Sequence, residues 1–201
     1  KEKNASLAGI LLSLGIFCLG SYMVAVNTEI SKEDIMAYDH YVRMQQWEKA
    51  IAKADRKTPS SPLSVACLNL SLCKSGMMSD NMFHYYQNGP EGLIPTFVRD
   101  FTIPMISGEV YYHLGFINTA QRFAFEAMES LPNYWKSGRS VKRLAETNLI
   151  NGQYEAARKY LIILQHTFFY KAWANYVIGF LEDEGGINSH PEWGTLRKHR
   201  T

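Results

Sequence analysis

The sequence predicts an all-α protein in which one long apolar helix precedes a stack of helical hairpins. Two observations carry this prediction. The run 5–26 contains 22 residues without a charge. Later in the chain, small and apolar residues recur at the spacing of one helix face on both sides of a glycine turn, first around Gly115 and again around Gly152. Such recurrence is typical of an α-solenoid, a stack of hairpins that holds partners.

The uncharged run is long enough to cross a membrane, because a 22-residue helix spans about 33 Å against a hydrocarbon core of about 30 Å. Two lysines precede the run, and the acidic residues Glu29, Glu33 and Asp34 follow it. The positive-inside rule therefore predicts a cytoplasmic N-terminus and an outward-facing helical domain.

Two alternatives stay open for this run, namely a cleaved signal peptide and a buried helix of a soluble domain. Ala5, Gly9 and Ser13 lie on one face of the helix, where small side chains would let another transmembrane helix pack closely. The chain does not start with Met, which suggests a piece of a longer protein.

Two hairpins are predicted before residue 88. The first ends at Pro59 and Pro62, and the second runs from Leu63 to Gln87 with a break at Gly76. In both, small, aromatic and apolar residues fall on one face of each helix. These residues are Ala37, Tyr38, Tyr41, Trp47, Ala50 and Ala54 in the first hairpin, and Leu68, Leu72, Met78, Met82 and Tyr85 in the second.

The stretch 88–108 interrupts the hairpins, since its three prolines and three glycines exclude a continuous helix. Its apolar residues, among them Ile94, Phe97 and Phe101, are expected to be buried. Loops of this length are uncommon in a compact domain and are often functional. We predict an insertion that plugs the fold, covers a groove or docks on the membrane.

Two hairpins with clearer periodicity follow. The third has a short first helix over 110–114, and the fourth covers 139–165. A last helix over 170–182 caps the stack, and the tail is expected to be extended, with Trp193 docked on that last helix. The facing residues are Ala120, Ala124 and Ala127 in the third hairpin, and Val141, Leu144, Ala145, Asn148, Tyr154, Ala157, Leu161 and Leu164 in the fourth.

The last two hairpins resemble the tetratricopeptide repeat, whose pattern pairs a small residue on each helix with an aromatic at the turn and a proline at the end. The matching residues are Gly152, Tyr154 and Ala157, and separately Ala120, Ala127 and Pro132. The resemblance covers residues 34–182. It implies a right-handed α-solenoid of about four hairpins, irregular in its spacing, with a concave groove for a protein or peptide.

A broader resemblance rests on three runs of sequence, NGPEGLIP, INTAQRFAFEAME and RLAETNLINGQYE. They are similar to an uncharacterised family of bacterial membrane proteins that carry a helical-repeat region after membrane spans. This resemblance implies the architecture and a location in the bacterial inner membrane, with no stated activity.

These observations divide the chain into a transmembrane helix with its flanks (1–28), a helical-repeat domain (29–184) and a C-terminal tail (185–201). The net charge of +2 is too small to indicate a nucleic-acid partner. Cys67 and Cys73 are six residues apart on one predicted helix, which is too far for a disulfide, and both are expected to be buried.

The candidate partner-binding residues lie on the first helices of the third and fourth hairpins. Arg139 and Arg143 are four apart and could together hold a carboxylate or a phosphate, the alternative being a solvated helix face. Glu109 and His113 have the same spacing and could bind a metal or exchange protons, the alternative being a structural pair. The full set is Arg139, Lys142, Arg143, Glu146, Glu109, Tyr112 and His113.

Among sequence motifs of known chemistry, G-x-S-x-G, the phosphate-binding P-loop, H-E-x-x-H and Cys-x-x-Cys are all absent. We therefore predict a membrane-anchored protein-interaction module that is not an enzyme and uses no cofactor or metal. One alternative is an accessory extracytoplasmic domain of a larger multi-span membrane enzyme, such as a glycan or lipid-linked transferase. Another is a structural module that orders neighbouring membrane helices.

Overall fold

The computed structural model describes residues 2–27, 30–98, 100 and 102–200. Over these residues the regular structure is helical and contains no β-strand, which confirms the all-α prediction. The chain divides into two compact units, one ending at Asp34 and the other beginning at Ile35. Glu29, used above to predict topology, and Phe101, in the predicted insertion, lie outside the described residues.

The first unit contains helix α1 (Glu2–Asn27). From Gly9 to Asn27 this helix is long and apolar enough to cross a membrane. Its apolar side chains are exposed, as Leu12 at 68% and Phe17 at 73% illustrate.

The second unit is built from consecutive helices joined by short turns. Several end or continue in a turn of 3₁₀-helix. The helices are α2 (Ile30–Arg43, which starts in the first unit), α3 (Trp47–Arg56), α4 (Pro62–Lys74), α5 (Met78–Asn81), α6 (Ile103–Leu114), α7 (Ile117–Glu129), α8 (Gly138–Ile150), α9 (Tyr154–Gln165), α10 (Lys171–Ile178), α11 (Glu184–Ser189) and α12 (Trp193–His199).

Four of the turns between these helices share one hydrogen-bond pattern, the Schellman cap. After α6, the backbone N–H of Phe116 donates to the carbonyl of Tyr111 at 3.0 Å. After α8, the N–H of Gln153 donates to the carbonyl of Asn148 at 2.8 Å. Each turn contains one residue in the left-handed conformation, and these residues are Gln45 (φ 53°), Gly76 (φ 69°), Gly115 (φ 89°) and Gly152 (φ 75°).

The first of these turns differs from the other three in its residue type. Glycine adopts the left-handed conformation without a steric cost because it lacks Cβ, whereas the Cβ of any other residue comes too close to the backbone there. Gln45 therefore carries backbone strain that the other three turns avoid.

Helices α6, α8 and α10 run parallel to one another. Along α6 and α8, Met105 contacts Ser137 near the start of both helices, and Glu109 contacts Arg143 further along. Along α8 and α10, the Tyr170 ring lies against Gly138, and Lys142 lies 4.9 Å from the ring of Trp173. Helices α7 and α9 alternate with these three and return the chain in the opposite direction.

Helices α2 and α4 have the same direction as α6. Asp39 of α2 and Glu109 of α6 are both held by Arg139, while Trp47, just after α2, meets His113 near the end of α6 with ring centroids 5.2 Å apart. Helix α4 packs against α6 and ends at Lys74, which lines a cavity together with His113. The N-termini of α2, α4, α6, α8 and α10 therefore lie toward one edge of the unit.

Two hydrophobic clusters fill the unit, one under α2 to α6 and the other under α6 to α12. The residues predicted to face partner helices contribute to both clusters. Those that are buried as predicted include Tyr38, Ala50, Ala54, Leu68, Leu72, Ala120, Ala124, Ala127, Val141, Leu144, Ala145, Ala157, Leu161 and Leu164.

Several predictions about the middle of the chain are wrong. The second helix of the second hairpin, α5, is one turn long and passes into a 3₁₀ turn at Met82. The end of the predicted insertion is the start of α6, where Pro104 stands in the first turn and costs no hydrogen bond. Ile94 and Phe97 remain about half exposed, and Cys73 is exposed because it lies on the outer face of α4.

The prediction of an extended tail is also wrong, because residues 184–199 form helices α11 and α12. Asp183 caps the first of these by accepting from the N–H of Gly186 at 2.8 Å. Trp193 is 3% exposed and packs against Phe180, directly after α10, with ring centroids 5.4 Å apart. This contact confirms the predicted docking of Trp193 on the last helix of the stack.

Candidate functional site

The predicted site residues come together because α6 and α8 run parallel and carry charged residues one turn apart. Glu109 and His113 lie on α6, and Arg139 and Arg143 lie on the facing side of α8. Lys142 and Glu146 of α8 complete the group, and α2 adds Asp39, which sequence reasoning missed.

The arginines of this cluster are bound to carboxylates within the chain. Arg139 donates to both oxygens of Asp39, at 2.7 and 2.6 Å, and to Glu109 at 3.1 Å. Arg143 donates to the second oxygen of Glu109 and pairs with Glu146 at 2.8 Å. We call these five side chains the floor network. A bidentate arginine and a carboxylate shared by two arginines are among the stronger polar contacts in proteins.

The floor network is largely shielded from water. The side chains of Asp39 and Glu109 are each 5% exposed, and that of Arg143 is 14% exposed. This burial overturns the alternative of a solvated helix face for the two arginines. Arg139 and Arg143 are instead ion-paired within the chain, with Asp39, Glu109 and Glu146; Nη1 of Arg143 lies 2.8 Å from Glu146 but makes no hydrogen bond within the described residues.

Electrostatics keep Glu109 and Arg143 charged at neutral pH. Burial alone would raise the pKa of Glu109, but the guanidinium groups of Arg143 and Arg139 outweigh it and lower that pKa to about 2. Burial would lower the pKa of Arg143, and the neighbouring carboxylates of Glu109 and Glu146 raise it instead. Neither Glu109 nor Arg143 is therefore poised to exchange a proton near pH 7.

His113 sits beside the network as a neutral imidazole. Burial lowers its pKa to about 3, and the positive charges of Arg143 and Lys74 add to that effect, while Glu109 opposes it. Its Nε2 is 4.0 Å from Glu109, and the Trp47 ring meets it edge to face. Glu109 and His113 thus form a structural pair, the alternative that the spacing left open.

Tyr112 lies behind the network rather than in front of it. It is fully buried, and the guanidinium of Arg143 stacks over its ring at 3.4 Å from the centroid. Such a cation–π contact stabilises the buried charge from its second face. Burial raises the pKa of Tyr112 well above its usual range, so its hydroxyl stays protonated.

A continuous depression opens above the floor network. The first cavity, of about 280 Å³, is lined by the predicted residues Arg139, Lys142, Arg143, Glu146, Glu109 and His113. A second, of about 410 Å³, shares Gln45, His113 and Glu192 with the first. A third, of about 510 Å³, shares Gln45, Trp47 and Lys74 with the second. We call the three cavities together the groove.

The mouth of the groove carries charges that the floor does not use. Arg43 and Lys74 are exposed, and neither makes an ion pair within the part of the chain that the structure describes. Glu192 enters from the C-terminal segment, where burial, followed by the charge of Glu146, raises its pKa. The strained Gln45 lines all three cavities.

Sequence reasoning missed Asp39, Gln45, Trp47 and Glu192 as site residues. One signal was present for Asp39, because Ile35, Asp39 and Val42 share a helix face at i, i+4 and i+7. A carboxylate in such an apolar stripe requires a buried cation. Gln45 and Glu192 gave no such signal, since their roles depend on a turn conformation and on a helix that folds back.

Over the residues that the structure describes, the fold is all-helical, one helix could span a membrane, and a polar groove lies over a buried ion-pair network. A family of unknown function, DUF6057, matches residues 2–201, and the chain belongs to that family. No curated protein and no solved structure gives a significant match.

Proposed function

We propose that this protein is a membrane-anchored interaction module, which binds a peptide segment of a partner protein in the groove. In this proposal α1 spans the bacterial inner membrane, and the helical domain is an irregular tetratricopeptide-like solenoid on the outer side. One observation carries the proposal most directly. Three cavities that share lining residues form an elongated groove beside parallel helices, where an extended chain would fit.

The chemistry of the groove supports a peptide over a small apolar ligand. Trp47 and Tyr170 offer aromatic surface, and Gln45 offers both a donor and an acceptor to a backbone amide. Arg43, Lys74 and Lys49 line the groove as exposed cations that make no ion pair within the described residues, so they are available for a partner's carboxylates, at a side chain or at a C-terminus. Pockets for apolar cofactors are lined mostly by hydrophobic residues, and this groove is not.

The floor network supports binding rather than catalysis. Its three carboxylates and two guanidinium groups are paired with one another, so they provide a preorganised surface that needs little rearrangement when a partner binds. An acid or base catalyst needs a pKa near the working pH. The pKa values of Glu109, about 2, and His113, about 3, lie far below it.

The strained turn at Gln45 supports the groove as the functional surface. A non-glycine residue in the left-handed region costs stability, and such outliers concentrate at ligand-binding positions. Glycine fills the equivalent place in the other three turns, yet the turn after α2, whose Gln45 lines all three cavities, keeps a polar side chain.

Site-specific photo-crosslinking in the native host tests this proposal. Thr195 is exposed and lines the second cavity, so we choose Thr195→p-benzoylphenylalanine in the full chain. Lys159, exposed on α9 and not part of the groove, provides the matched control position. We expect one discrete crosslinked protein from position 195 and none from 159. Equal labelling from both positions, or none from either, would contradict the proposal.

The alternative function makes the same domain an accessory arm of a multi-span membrane enzyme. The exposed apolar surface of α1 supports it, because that surface could pack on further spans as well as on lipid. The crosslinking experiment separates the two. A crosslinked partner that is itself a multi-span transferase favours the accessory arm, and a soluble or single-span partner favours the interaction module.

A further inference from the structure

Two neighbouring loops of the helical domain expose aromatic rings that the fold does not use. Trp135, in the loop before α8, is 72% exposed. Phe168 and Phe169, in the loop before α10, are 93% and 85% exposed, and their rings meet each other edge to face at 5.1 Å. We call these two loops, residues 130–137 and 166–170, the aromatic edge.

The two loops lie beside each other. Helices α8 and α10 run parallel, so the loops that lead into them open on the same edge. At their junction the Tyr170 ring lies so close to Gly138 that a Cβ on that glycine would be 2.9 Å from Cε2 of Tyr170. The three exposed rings therefore belong to one patch rather than to scattered positions.

Two lysines flank the rings. Lys136 follows Trp135, and Lys171 follows the second loop; both are exposed and make no ion pair within the described residues. Exposed aromatic side chains next to unpaired lysines are the composition of membrane–water interfaces, where rings sit at the headgroup level and lysines meet lipid phosphates. A water-facing edge gains nothing from three exposed rings.

The direction of the helices relates this edge to the start of the domain. Helix α2 is parallel to α8, so the chain enters the second unit at Ile35 on the side where α8 and α10 begin. In sequence, only seven residues, 28–34, separate Ile35 from the end of α1, and 30–34 of these belong to helix α2, so the segment is shorter than the roughly 24 Å that seven extended residues would reach. A bilayer that holds α1 would therefore be within reach of this edge.

We propose that the aromatic edge docks on the phospholipid bilayer that α1 crosses, with Trp135, Phe168 and Phe169 at the headgroup–acyl boundary. Lys136 and Lys171 lie against lipid phosphates. This inference rests on the proposed membrane anchoring by α1. Docking would fix the domain's orientation. The groove meets the aromatic edge at Tyr170, which lines the first cavity, while the second and third cavities are lined by residues outside the two loops and stay open to partners.

Tryptophan quenching by brominated lipid tests the docking. The full chain is reconstituted in phosphatidylcholine vesicles whose acyl chains are brominated, and its emission is compared with that in unbrominated vesicles. We expect quenching in the wild type and its loss in Trp135→Phe. The control is Trp173→Phe, because the Trp173 ring lies under Lys142 at the groove and not at the aromatic edge. We expect this variant to be quenched as strongly as the wild type. The exposed pair change Phe168→Ser with Phe169→Ser reduces the quenching of Trp135 by withdrawing the edge from the lipid.

Two results would overturn the docking. One is quenching in Trp135→Phe equal to that in the wild type, and the other is no quenching of the wild type at all. Alkaline extraction of the same vesicles separates this failure from failure of the anchor. A chain that stays in the membrane but is not quenched refutes only the docked edge, and a chain that is extracted refutes the anchoring on which it rests. If the chain is retained in the membrane and Trp135 is not quenched, the aromatic edge binds a partner protein instead of lipid.

Discussion

The floor and the mouth of the groove both carry basic residues, but those on the floor are buried and ion-paired, whereas those at the mouth are exposed and unpaired over the described residues. On the floor, Arg139 and Arg143 are mostly buried, and they are ion-paired with Asp39, Glu109 and Glu146. At the mouth, Arg43 and Lys74 are exposed and have no ion-pair partner in the described chain. The same charge thus supports the fold in one place and is available to a partner in the other.

This difference assigns separate roles to the two sets of residues. The spacing of Arg139 and Arg143 suggested that they bind a partner's anion, but removing either would first destabilise the domain. Loss of a partner in such a variant would say nothing about recognition. The mouth residues are the ones whose replacement can separate binding from stability.

The largest effect is expected from breaking the floor network at Glu109. Glu109→Gln keeps the shape but leaves two arginines partly uncompensated in a buried site, so we expect a loss of about 3–5 kcal/mol in unfolding free energy. The matched control is Glu126→Gln, which removes an exposed pair between Arg122 and Glu126 at 3.8 Å, at a cost below about 1 kcal/mol. Denaturant unfolding of the full chain in detergent micelles measures both. Equal losses would show that the floor network is not a stabilising unit.

The second effect is a pH dependence from His113. The unfolded residue binds a proton below pH 6.5, whereas the folded residue does so only below about pH 3. Unfolding between those values takes up a proton, so stability falls as pH falls, by about 1.4 kcal/mol per pH unit. The variant His113→Gln has no imidazole and so lacks this pH-dependent contribution to the unfolding free energy. Between pH 6.5 and 4.5 the stability advantage of the wild type over the variant should therefore shrink, and a constant difference would contradict a buried neutral imidazole.

A smaller effect of opposite sign is expected at Gln45. Gln45→Gly removes the left-handed strain and should raise the unfolding free energy by about 1 kcal/mol, while crosslinking from position 195 weakens. Gly76→Gln makes the reverse exchange in an equivalent turn, where nothing lies within 4 Å of an added Cβ. It should destabilise by about 1 kcal/mol in thermal melts. A stabilised Gln45→Gly variant with unchanged crosslinking would remove Gln45 from the binding surface.

The parts of the fold that could be predicted from the sequence are those with a regular local periodicity of apolar residues. Val141, Leu144 and Ala157 lie on regular helix faces beside a glycine turn, and they are buried as predicted. Helices α11 and α12 escaped prediction because they are short, and the first contains two glycines, so burial of Trp193 outweighs their weak helix propensity.

The candidate site was only partly readable, because its key contacts join distant segments. The spacing on α6 and α8 indicated Glu109, Arg139 and Arg143, but Asp39 meets Arg139 across 100 positions of the chain. No local pattern states which cation a carboxylate will meet at that separation. Tertiary packing therefore decides whether an arginine is ion-paired within the fold or available to a partner.

The smallest effect on stability is expected at the mouth. The double change Arg43→Gln with Lys74→Gln touches exposed side chains, so the unfolding free energy should stay within about 0.5 kcal/mol of the wild type. The matched control, Arg56→Gln with Lys57→Gln, removes the same two charges from an exposed segment outside the groove. Thermal melts in detergent check that all three proteins are equally stable.

Crosslinking yield from position 195 in these equally stable proteins is the most direct measurement of the groove's role. If the free cations of the mouth hold a partner's carboxylates, the yield falls about tenfold in the Arg43→Gln, Lys74→Gln protein, which corresponds to about 1.4 kcal/mol of binding. It stays at the wild-type level in the Arg56→Gln, Lys57→Gln control. An undiminished yield in the mouth variant would contradict recognition of a peptide by the groove's unpaired charges.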